Sequence, residues 1–345
     1  MGGKKICVIG NGLAGACVSY HLIKAGAKVT VYDNRFNHSS FIAAGLITPL
    51  VFRRMNKSWR VDDFIDYLVP FYRSFEFSDQ EVLRNIPLRR MFASEQERGY
   101  WLERQDNPEY SAYMFSINSK DENYHHAINN FGSGRVRNCY AVNAEPFFSK
   151  INAFIRERGT INEESFAYKE LVDNKYKGET FDAFVFCEGY MNYRNPFFKD
   201  IPVGRTKGEI LTIKAKSIPD GHSLNRKCFM LPLGDQKFKI GSTYSWNDPN
   251  PQPSEVGKQE IIEKFSYISD EKIEVLSHVA GIRPTTMDRR PIVGKHPKNG
   301  HLYLFNGLGT KGYMSAPLLA KEFVEHLLDG TSLHEDVLIE RYLVK

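Results

Sequence analysis

KKICVIGNGLAGACVSYHLIKAGAKVTVYDN, residues 4–34, is the stretch that decides the fold of this chain. It opens with an apolar, β-branched run at 6–9, which predicts a short buried strand. A mostly apolar segment at 13–25 then predicts a helix, and residues 29–32 predict a second strand. Strand, tight turn, helix and strand in this order are typical of the first βαβ unit of a parallel sheet.

Three glycines occupy the turn of this unit. Gly10, Gly12 and Gly15 have the spacing G-x-G-x-x-G, and Asp33 ends the second predicted strand. In a dinucleotide-binding turn the first glycine allows the bend, the second lets the backbone approach a pyrophosphate, and the third lets helix and strand pack closely. Amides at the helix start face the anion, and the acid binds the ribose hydroxyls. We predict an adenine dinucleotide site made of these residues and of the helix-start residues Leu13 and Ala14.

The same motif occurs with NAD and with FAD, so it does not identify the cofactor by itself. A glycine-rich turn of an unrelated α/β protein is the alternative interpretation. The choice has to come from the rest of the chain.

The composition argues against several classes of protein. A chain of 345 residues has room for about two domains. It has no run of 18 apolar residues, so we predict no membrane-spanning helix, and the glycine spacing in the first apolar run argues against a signal peptide. The five cysteines form no C-x-x-C pair, so we expect reduced core residues and no metal site. These features favour a cytoplasmic protein.

One short stretch is strongly basic, although the net charge of the chain is only +5. RRMNKSWR, residues 53–60, has four cations in eight positions. A solvated basic face is one interpretation, and a surface for an anionic substrate or a nucleic acid is the other. The sequence leaves both open.

Two kinds of predicted element alternate along the rest of the chain. FDAFVFCEGY at 181–190 is a buried apolar run of the kind found in a parallel sheet covered on both faces. Residues 301–330 predict a strand, a glycine loop and a helix. Antiparallel strands are predicted between them at GEILTIKA (208–215), KCFMLPL (227–233) and KFKIGSTY (237–244).

This alternation predicts an α/β fold in which a Rossmann-like dinucleotide-binding domain is interleaved with a substrate domain of α+β type built on an antiparallel sheet. The chain should cross between the two domains more than once. Helices are expected behind Asp62 and Asp63 and at 145–159 and 254–268, whereas 87–140 predicts only mixed strand and loop. The predicted boundaries are 1–50, 140–200 and 278–345 for the dinucleotide-binding domain, and 51–139 and 201–277 for the substrate domain.

These pieces in this order resemble the D-amino acid oxidase family of flavoproteins, which includes glycine oxidase, sarcosine oxidase and the oxidase domain of a bacterial tRNA wobble-uridine modifying enzyme. The likeness covers nearly the whole chain. It depends on the first βαβ unit and FDAFVFCEGY, and further on AAGLITP (43–49), VGRTKGEILTI (203–213), GIRPTTMDRRPIVG (281–294) and NGLGTKGYMSAP (306–317). The last two are the most specific, and a nicotinamide dehydrogenase has no reason to carry them. The resemblance therefore implies FAD, held noncovalently.

The resemblance also implies which residues hold this cofactor. The fingerprint glycines would bind the FAD pyrophosphate and Asp33 the adenosine ribose. The loop at 307–312 opens a helix, so its amides could stabilise negative charge on the reduced flavin, with Lys311 adding a cation. The remaining cofactor residues that we expect are Ser39, Ser40, Ala44, Gly45, Glu188, Gly189, Gly307, Gly309, Thr310, Gly312 and Tyr313.

Arg283 is the catalytic residue that the resemblance implies first. In family members that oxidise amino acids, the arginine of the G-[LI]-R-P segment grips the substrate carboxylate through a bidentate fork, which places the Cα hydrogen over flavin N5 for hydride transfer. The alternative is that Arg283 only pairs with an acid such as Asp288. No general base is needed if the amine arrives neutral, so none is predicted.

Lys239 is the second candidate. Its place two residues before Gly241 matches the lysine that sarcosine-oxidase-like relatives hold near flavin N5 to promote reaction with oxygen. A simpler reading is that strand alternation points Lys239 at solvent. Both readings stay open at this stage.

The substrate implied by the resemblance is an amino acid or N-substituted amino acid oxidised at a CH–NH bond. Phe229 replaces a tyrosine that commonly gives a second contact to the carboxylate. GLGTKGYMSAP looks closest to the tRNA-modifying oxidase domain, whose substrate is an N-substituted glycine on a nucleobase. A flavin-dependent tRNA-modifying oxidase is therefore the alternative function, and a catalytically silent flavin-binding protein is a third.

Overall fold

The computed structural model describes residues 3–36, 39–76, 80–117, 124, 126–246 and 248–343. Within these residues the α-helices are α1 (Leu13–Lys24), α2 (Ser39–Ile42), α3 (Val61–Arg73), α4 (Glu95–Gln105), α5 (Ala144–Arg158), α6 (Glu255–Phe265) and α7 (Gly312–Asp329). The strands are β1 (Lys5–Ile9), β2 (Lys28–Tyr32), β3 (Leu46–Ile47), β4 (Leu50–Val51), β5 (Asn56–Lys57), β6 (Leu83–Asn85), β7 (Leu88–Met91), β8 (Ser133–Val136), β9 (Tyr140–Val142), β10 (Thr160–Asn162), β11 (Lys175–Tyr176), β12 (Glu179–Thr180), β13 (Ala183–Phe186), β14 (Gly204–Lys214), β15 (Ser223–Arg226), β16 (Cys228–Gly234), β17 (Lys237–Gly241), β18 (Glu274–Thr285), β19 (Ile292–Lys295) and β20 (Leu302–Asn306).

A six-stranded sheet in the order β10-β2-β1-β13-β20-β19 forms the first layer. Its neighbours pair in parallel except for the edge strand β19, which runs antiparallel to β20. Alternate residues of β1 enter different cores, with Ile6 and Val8 against the apolar faces of α1, α5 and α7. Cys7 and Ile9 face an aromatic cluster on the other side. A sheet covered on both faces explains why its strands are apolar throughout.

A seven-stranded sheet in the order β18-β14-β17-β16-β15-β7-β8 forms the second layer. All its pairs are antiparallel except the one between β15 and β7. Phe238 and Ile240 of β17 lie in a core that includes Ile261 and Phe265 of α6. The opposite face of this sheet turns toward the carboxyl ends of the parallel strands.

The order of strands along the chain confirms the interleaved α/β architecture. β1 and β2 belong to the parallel sheet, β7 and β8 to the antiparallel one, and β10 and β13 return to the parallel sheet. β14 to β18 are again antiparallel, and β19 and β20 close the first sheet. The exact domain boundaries stay a prediction.

The aromatic stripe behind Asp62 and Asp63 is a core helix as expected, because Phe64, Leu68 and Tyr72 of α3 are fully buried. None of the helices that the structure describes is long and apolar enough to cross a membrane.

The expectation of only strand and loop at 87–140 is wrong, because this segment contains the eleven-residue helix α4. Only Trp101 of α4 is buried, so the helix has no apolar stripe that its sequence could reveal. Its start is nevertheless marked by a capping sequence, since the side chain of Ser94 accepts a hydrogen bond from the amide of Glu97.

Candidate active site

A long cavity follows the carboxyl ends of the parallel strands and continues to the antiparallel sheet. This edge of an open parallel sheet is where dinucleotides bind, because helix starts and strand ends meet there. Both Asp33, which follows β2 of the parallel sheet, and Arg283, in β18 of the antiparallel sheet, line this cavity. The cofactor residues predicted from sequence that line it are Gly10, Gly12, Leu13, Ala14, Asp33, Ser39, Ser40, Ala44, Gly45, Glu188, Gly189, Gly309, Thr310, Lys311, Gly312 and Tyr313.

The three fingerprint glycines have different surroundings. Gly10 has a φ of 95°, and a Cβ there would lie 2.6 Å from the carbonyl oxygen of Cys187, so the turn requires glycine. A Cβ on Gly15 would overlap the carbonyl of Gly10, which makes Gly15 a packing residue behind the turn, outside the cavity lining. Gly12 faces the cavity, where an added Cβ would meet only the Ser40 hydroxyl at 3.4 Å. This is the open cradle that a pyrophosphate needs.

Asp33 directly follows β2, lines the cavity and is almost fully buried. Its Oδ1 accepts a hydrogen bond from the amide of Asn11 at 3.2 Å, and its Oδ2 accepts one from the amide of Arg35 at 3.1 Å. These bonds fix the carboxylate beside the glycine turn, where it can accept hydrogen bonds from a ribose.

The loop before α7 brings a cation to the wall of the cavity. Lys311 is the residue before the first turn of α7, and its Nζ donates to the carbonyl oxygen of Thr48 at 2.9 Å. Burial lowers the pKa of Lys311 to about 8. The hydroxyl of Tyr313 donates to the carbonyl of Ser40 at 2.6 Å, which ties the start of α7 to the small-residue loop. Gly307 packs against Thr286 and does not line the cavity.

Glu188 follows β13 and carries a perturbed carboxyl group. Its side chain accepts hydrogen bonds from the hydroxyl of Tyr168 and from Nδ2 of Asn195, the latter at 2.7 Å. Burial nevertheless raises the pKa of Glu188 to about 7. A group that titrates near neutrality therefore lies in the cavity wall.

Arg283 lines the cavity on β18, and its guanidinium is held by uncharged groups. Nη2 donates to the hydroxyl of Ser242 at 2.7 Å, and Nη1 is 3.3 Å from the carbonyl oxygens of Lys207 and Thr243. The ring of Tyr244 lies 5.4 Å from the guanidinium carbon. Burial lowers the pKa of Arg283.

Asp288 is not the partner of Arg283, because it forms an ion pair with Arg341 at 3.0 Å. Among the residues that the structure describes, no carboxylate contacts Arg283. The alternative role of Arg283, an ion pair with an acid such as Asp288, therefore has no acid partner among the described residues.

The absence of a side chain at Gly208 of β14 leaves the space that the guanidinium group of Arg283 occupies. The two strands pair with Lys207 opposite Ile282 and Thr206 opposite Arg283, and a Cβ on Gly208 would overlap the guanidinium group. A side chain at position 208 would therefore displace the arginine or close the cavity next to it.

Lys239 does not line the cavity, although its strand approaches it. It is paired with Thr212 and Leu231, two residues along β17 from Gly241, which is paired with Ile210 and Phe229. Opposed residues share a face, and Ile210 and Phe229 line the cavity, so Lys239 lies on the cavity side of the sheet. It is half-buried and not turned to open solvent, and burial lowers its pKa. A role in reoxidation stays a prediction.

The basic stretch 53–60 divides into two pairs of cations. Lys57 forms an ion pair with Asp62, and Arg60 binds Glu322 through two hydrogen bonds of 3.0 and 2.6 Å. Lys57 therefore holds β5 to α3, and Arg60 holds the start of α3 to α7. Arg53 and Arg54 remain exposed at the surface.

Some lining residues were not predicted from sequence. Thr48, Tyr168, Gly208 and Ser242 come from four separate segments and meet only in the folded chain. Gly208 lies within a motif that carried the family resemblance, and Ser242 lies within the predicted strand 237–244, directly after the observed end of β17. Both positions could be noticed in the sequence, but neither of them predicts the contact with Arg283.

Comparison with known proteins places this chain in one family through a match that covers most of its length. Residues 5–326 match the DAO family, described as FAD dependent oxidoreductase. The glycine oxidase of Bacillus subtilis is 21% identical over 338 residues, which cover 90% of this chain and 89% of the relative. The tRNA 5-methylaminomethyl-2-thiouridine biosynthesis bifunctional protein of Leptospira interrogans is 22% identical over 393 residues, which cover 99% of this chain but only 60% of that relative.

Solved structures show the same fold. The glycine oxidase from Geobacillus kaustophilus superposes with a TM-score of 0.79 at 16% sequence identity, covering 96% of each chain. The iminodiacetate oxidase from a Chelativorans species gives 0.76 at 16% identity, covering 98% of each chain.

The residues present fit FAD, because the open cradle at Gly12, the buried carboxylate of Asp33 and the cation of Lys311 line one continuous cavity. The family match and this fit agree on the cofactor. The chain belongs to the DAO family and is an FAD-dependent oxidoreductase of the amino acid oxidase type.

Proposed function

We propose that this protein oxidises the CH–NH bond of an amino acid or an N-substituted amino acid. When bound, FAD supplies the hydride acceptor at N5. The single observation that carries the proposal is the guanidinium of Arg283, which lines the cavity and has only uncharged partners among the described residues.

A largely buried cation without an anionic partner is costly unless a ligand supplies the counter-charge. A substrate carboxylate is the anion whose geometry matches the planar fork of arginine, which can bind it with two parallel hydrogen bonds. The hydroxyl of Ser242 and the ring of Tyr244 hold the fork in place before the substrate arrives. A prepositioned anchor of this kind fixes the reacting carbon of the substrate.

The names of the relatives agree with a carboxylate-bearing amine. Glycine oxidase and iminodiacetate oxidase are both named for substrates that carry a carboxylate beside an amine. Phe229 lines the cavity and brings no hydroxyl, so Arg283 would bind the carboxylate without help from this position. The amine reacts in its neutral form, and we propose no general base.

An anaerobic test with matched substrates examines this function directly. Glycine, sarcosine, iminodiacetate, proline and D-amino acids are mixed with the holoprotein, and bleaching of the flavin absorbance is recorded. Each hit is compared with the amine that lacks the carboxylate, so that sarcosine is paired with dimethylamine. We expect at least one amino acid to reduce the flavin, and its partner to be slower by about 10²-fold or more. Equal rates with both would contradict a carboxylate anchor.

A second candidate is a flavin-dependent tRNA-modifying oxidase that acts on an N-substituted glycine of a nucleobase. It is supported by the relatives named for tRNA 5-methylaminomethyl-2-thiouridine biosynthesis and by the exposed Arg53 and Arg54. Binding of tRNA that weakens steeply with salt would favour this candidate, because phosphate contacts release counterions whereas a small amino acid does so far less. Either activity agrees with the cytoplasmic location predicted from the sequence.

A further inference from the structure

A second groove adjoins the substrate part of the main cavity. It lies between the turn after β4, the start of α4 and the β15–β16 turn. Phe52 and Asn225 line both the groove and the main cavity, so the two spaces share a wall. We call this space the basic groove and define it by Arg53, Arg54 and Lys227.

Within the part of the chain that the structure describes, no acid pairs with the three cations of the basic groove. Arg53 and Arg54 form no ion pair among the described residues, and Lys227 only lies 5.5 Å from the ring of Tyr267. All three side chains belong to exposed residues. In the same stretch of sequence, Lys57 and Arg60 are both paired with acids. Lys57 and Arg60 therefore have structural roles, whereas the three cations of the basic groove are available to a ligand.

One acid, Glu97, also lines the basic groove, but its carboxylate is already satisfied. Both of its oxygens accept hydrogen bonds from Nη2 of Arg90, at 2.7 and 2.9 Å, and Oε2 also accepts the amide of Ala93 at 2.8 Å. Arg90 is almost fully buried, and its charge is cancelled by this pair. The net charge that the groove offers is therefore that of Arg53, Arg54 and Lys227.

The basic groove opens beside the substrate anchor. Asn225 is paired with Phe229 across β15 and β16, and Phe229 is paired with Gly241 across β16 and β17. Gly241 precedes Ser242, whose hydroxyl accepts a hydrogen bond from Arg283. A chain of cross-strand neighbours thus joins the groove to the proposed carboxylate anchor.

We propose that the basic groove binds a phosphate-type anion carried by the substrate, whose amino-acid part is held at Arg283. This inference rests on the proposed function and narrows its substrate class. Two arginine forks and a lysine offer more positive charge than one carboxylate would balance, and guanidinium forks match phosphate oxygens well. The phosphate could belong to a phosphorylated small molecule or to an RNA backbone.

Equilibrium binding to the holoprotein tests the basic groove. The probes are inorganic pyrophosphate and a synthetic tRNA anticodon stem-loop, each titrated at several salt concentrations. The variants are Arg53→Ala/Arg54→Ala and Lys227→Ala. The matched control is Lys24→Ala/Lys28→Ala, which removes two exposed charges near the amino-terminal end of β2, away from the strand ends that form the cavity.

We expect the double arginine variant to bind at least one probe about 10-fold or more weakly, while the control binds as the wild type does. If pyrophosphate binds tightly and the stem-loop binds no more strongly than pyrophosphate, the phosphate group belongs to a small-molecule substrate. Stronger stem-loop binding, with a salt slope that falls by about one to two in the double variant, would assign it to RNA.

Equal binding by the double variant and the wild type, or no binding of either probe, would overturn the proposal. Anaerobic reduction of the flavin by amino acids is measured separately on the wild type. Phosphate binding by a protein whose flavin is reduced neither by free amino acids nor by a phosphate-bearing N-substituted glycine would refute the proposed function and leave the groove intact. Reduction of the flavin by an amino acid, without binding of either phosphate probe, would refute the proposal for the groove and leave the proposed function intact.

Discussion

The two ends of the cavity differ in how their residues are brought together. At the cofactor end, the glycine turn, the start of α1 and Asp33 come from one βαβ unit of about 30 residues. At the substrate end, Gly208, Ser242 and Arg283 come from β14, the loop after β17 and β18. A local motif therefore encodes the predicted cofactor-binding residues, whereas the residues of the proposed substrate anchor come together only after the antiparallel sheet has formed.

The largest effect is expected at the cofactor end, from Gly12→Val. An added Cβ at Gly12 meets only the Ser40 hydroxyl at 3.4 Å, so the variant should fold, but its branched side chain would project into the pyrophosphate cradle. We expect a protein that purifies colourless, with an apoprotein melting temperature close to that of the wild type.

Gly15→Val is the matched control for that variant. Its Cβ would overlap the carbonyl of Gly10 inside the protein, so we expect loss of folding and not only loss of flavin. Absorbance spectra and thermal unfolding of the two variants distinguish the outcomes. A fully flavinated Gly12→Val protein would refute the cofactor assignment.

The next largest effect concerns Lys239, which lies on the cavity side of the antiparallel sheet without lining the cavity. If it promotes reaction with oxygen, Lys239→Met should slow reoxidation of the reduced flavin by about 10²-fold or more, because a cation in a dry site stabilises charge that develops on oxygen. Stopped-flow records of amine-driven reduction and oxygen-driven reoxidation separate the two steps.

Lys237→Met, on the same strand but exposed, serves as the control for Lys239. We expect both of its rates to match the wild type. If Lys239→Met also keeps both rates, Lys239 has no part in the chemistry, and a dehydrogenase with another electron acceptor becomes the better description.

A somewhat smaller effect is expected from Arg283→Lys. A flexible point charge cannot reproduce the fork that Ser242 and two carbonyls hold, so we expect flavin reduction by the true substrate to slow about 10²-fold at unchanged flavin content. Arg341→Lys is the control, because that arginine pairs with Asp288. Gly208→Ala should slow the reaction as well, since its methyl group would displace the guanidinium without altering its chemistry.

The kinetics of these variants decide whether the anchor is correct. Rates for Arg283→Lys equal to those of the wild type would mean that Arg283 is structural or that the substrate lacks a carboxylate. A defect in Arg283→Lys that Gly208→Ala does not share would mean that the close approach of the two residues is unimportant.

The same contrast explains how much could be predicted from the sequence. The spacing of Gly10, Gly12 and Gly15 is tied to one backbone geometry, so the tight turn and the close packing behind it could be predicted from the motif. The separate roles of Arg53 and Arg60 could not be predicted, because the partner of Arg60 is Glu322, far away in the chain. A basic stretch of sequence shows how many charges it carries, but only the folded structure shows which of these charges are already paired.

Helix α4 shows a different limit. Its sequence is polar on nearly all sides, so the helical period that identified α3 was absent. The capping pair of Ser94 and Glu97 was present and would have located the start of the helix. Local hydrogen-bonding signals can therefore succeed where hydrophobic periodicity fails.

The smallest expected effect comes from Glu188, whose burial raises its pKa from 4.5 to about 7. Because the folded protein holds this proton more tightly than the unfolded chain, stability is highest below pH 4.5 with respect to this group and falls as pH rises to about 7. At about 1.4 kcal/mol for each pKa unit, the loss amounts to about 3 kcal/mol at most.

Glu188→Gln resembles the protonated acid and should remove this part of the pH dependence. We expect the melting temperature of the wild-type apoprotein to fall between pH 5 and pH 8 by a few degrees more than that of Glu188→Gln. The difference between the two proteins isolates the group, because all other titrating residues are shared. Parallel melting curves across this range would show that Glu188 is ionised in the folded protein at pH 5, and that the hydrogen bonds from Tyr168 and Asn195 outweigh its burial.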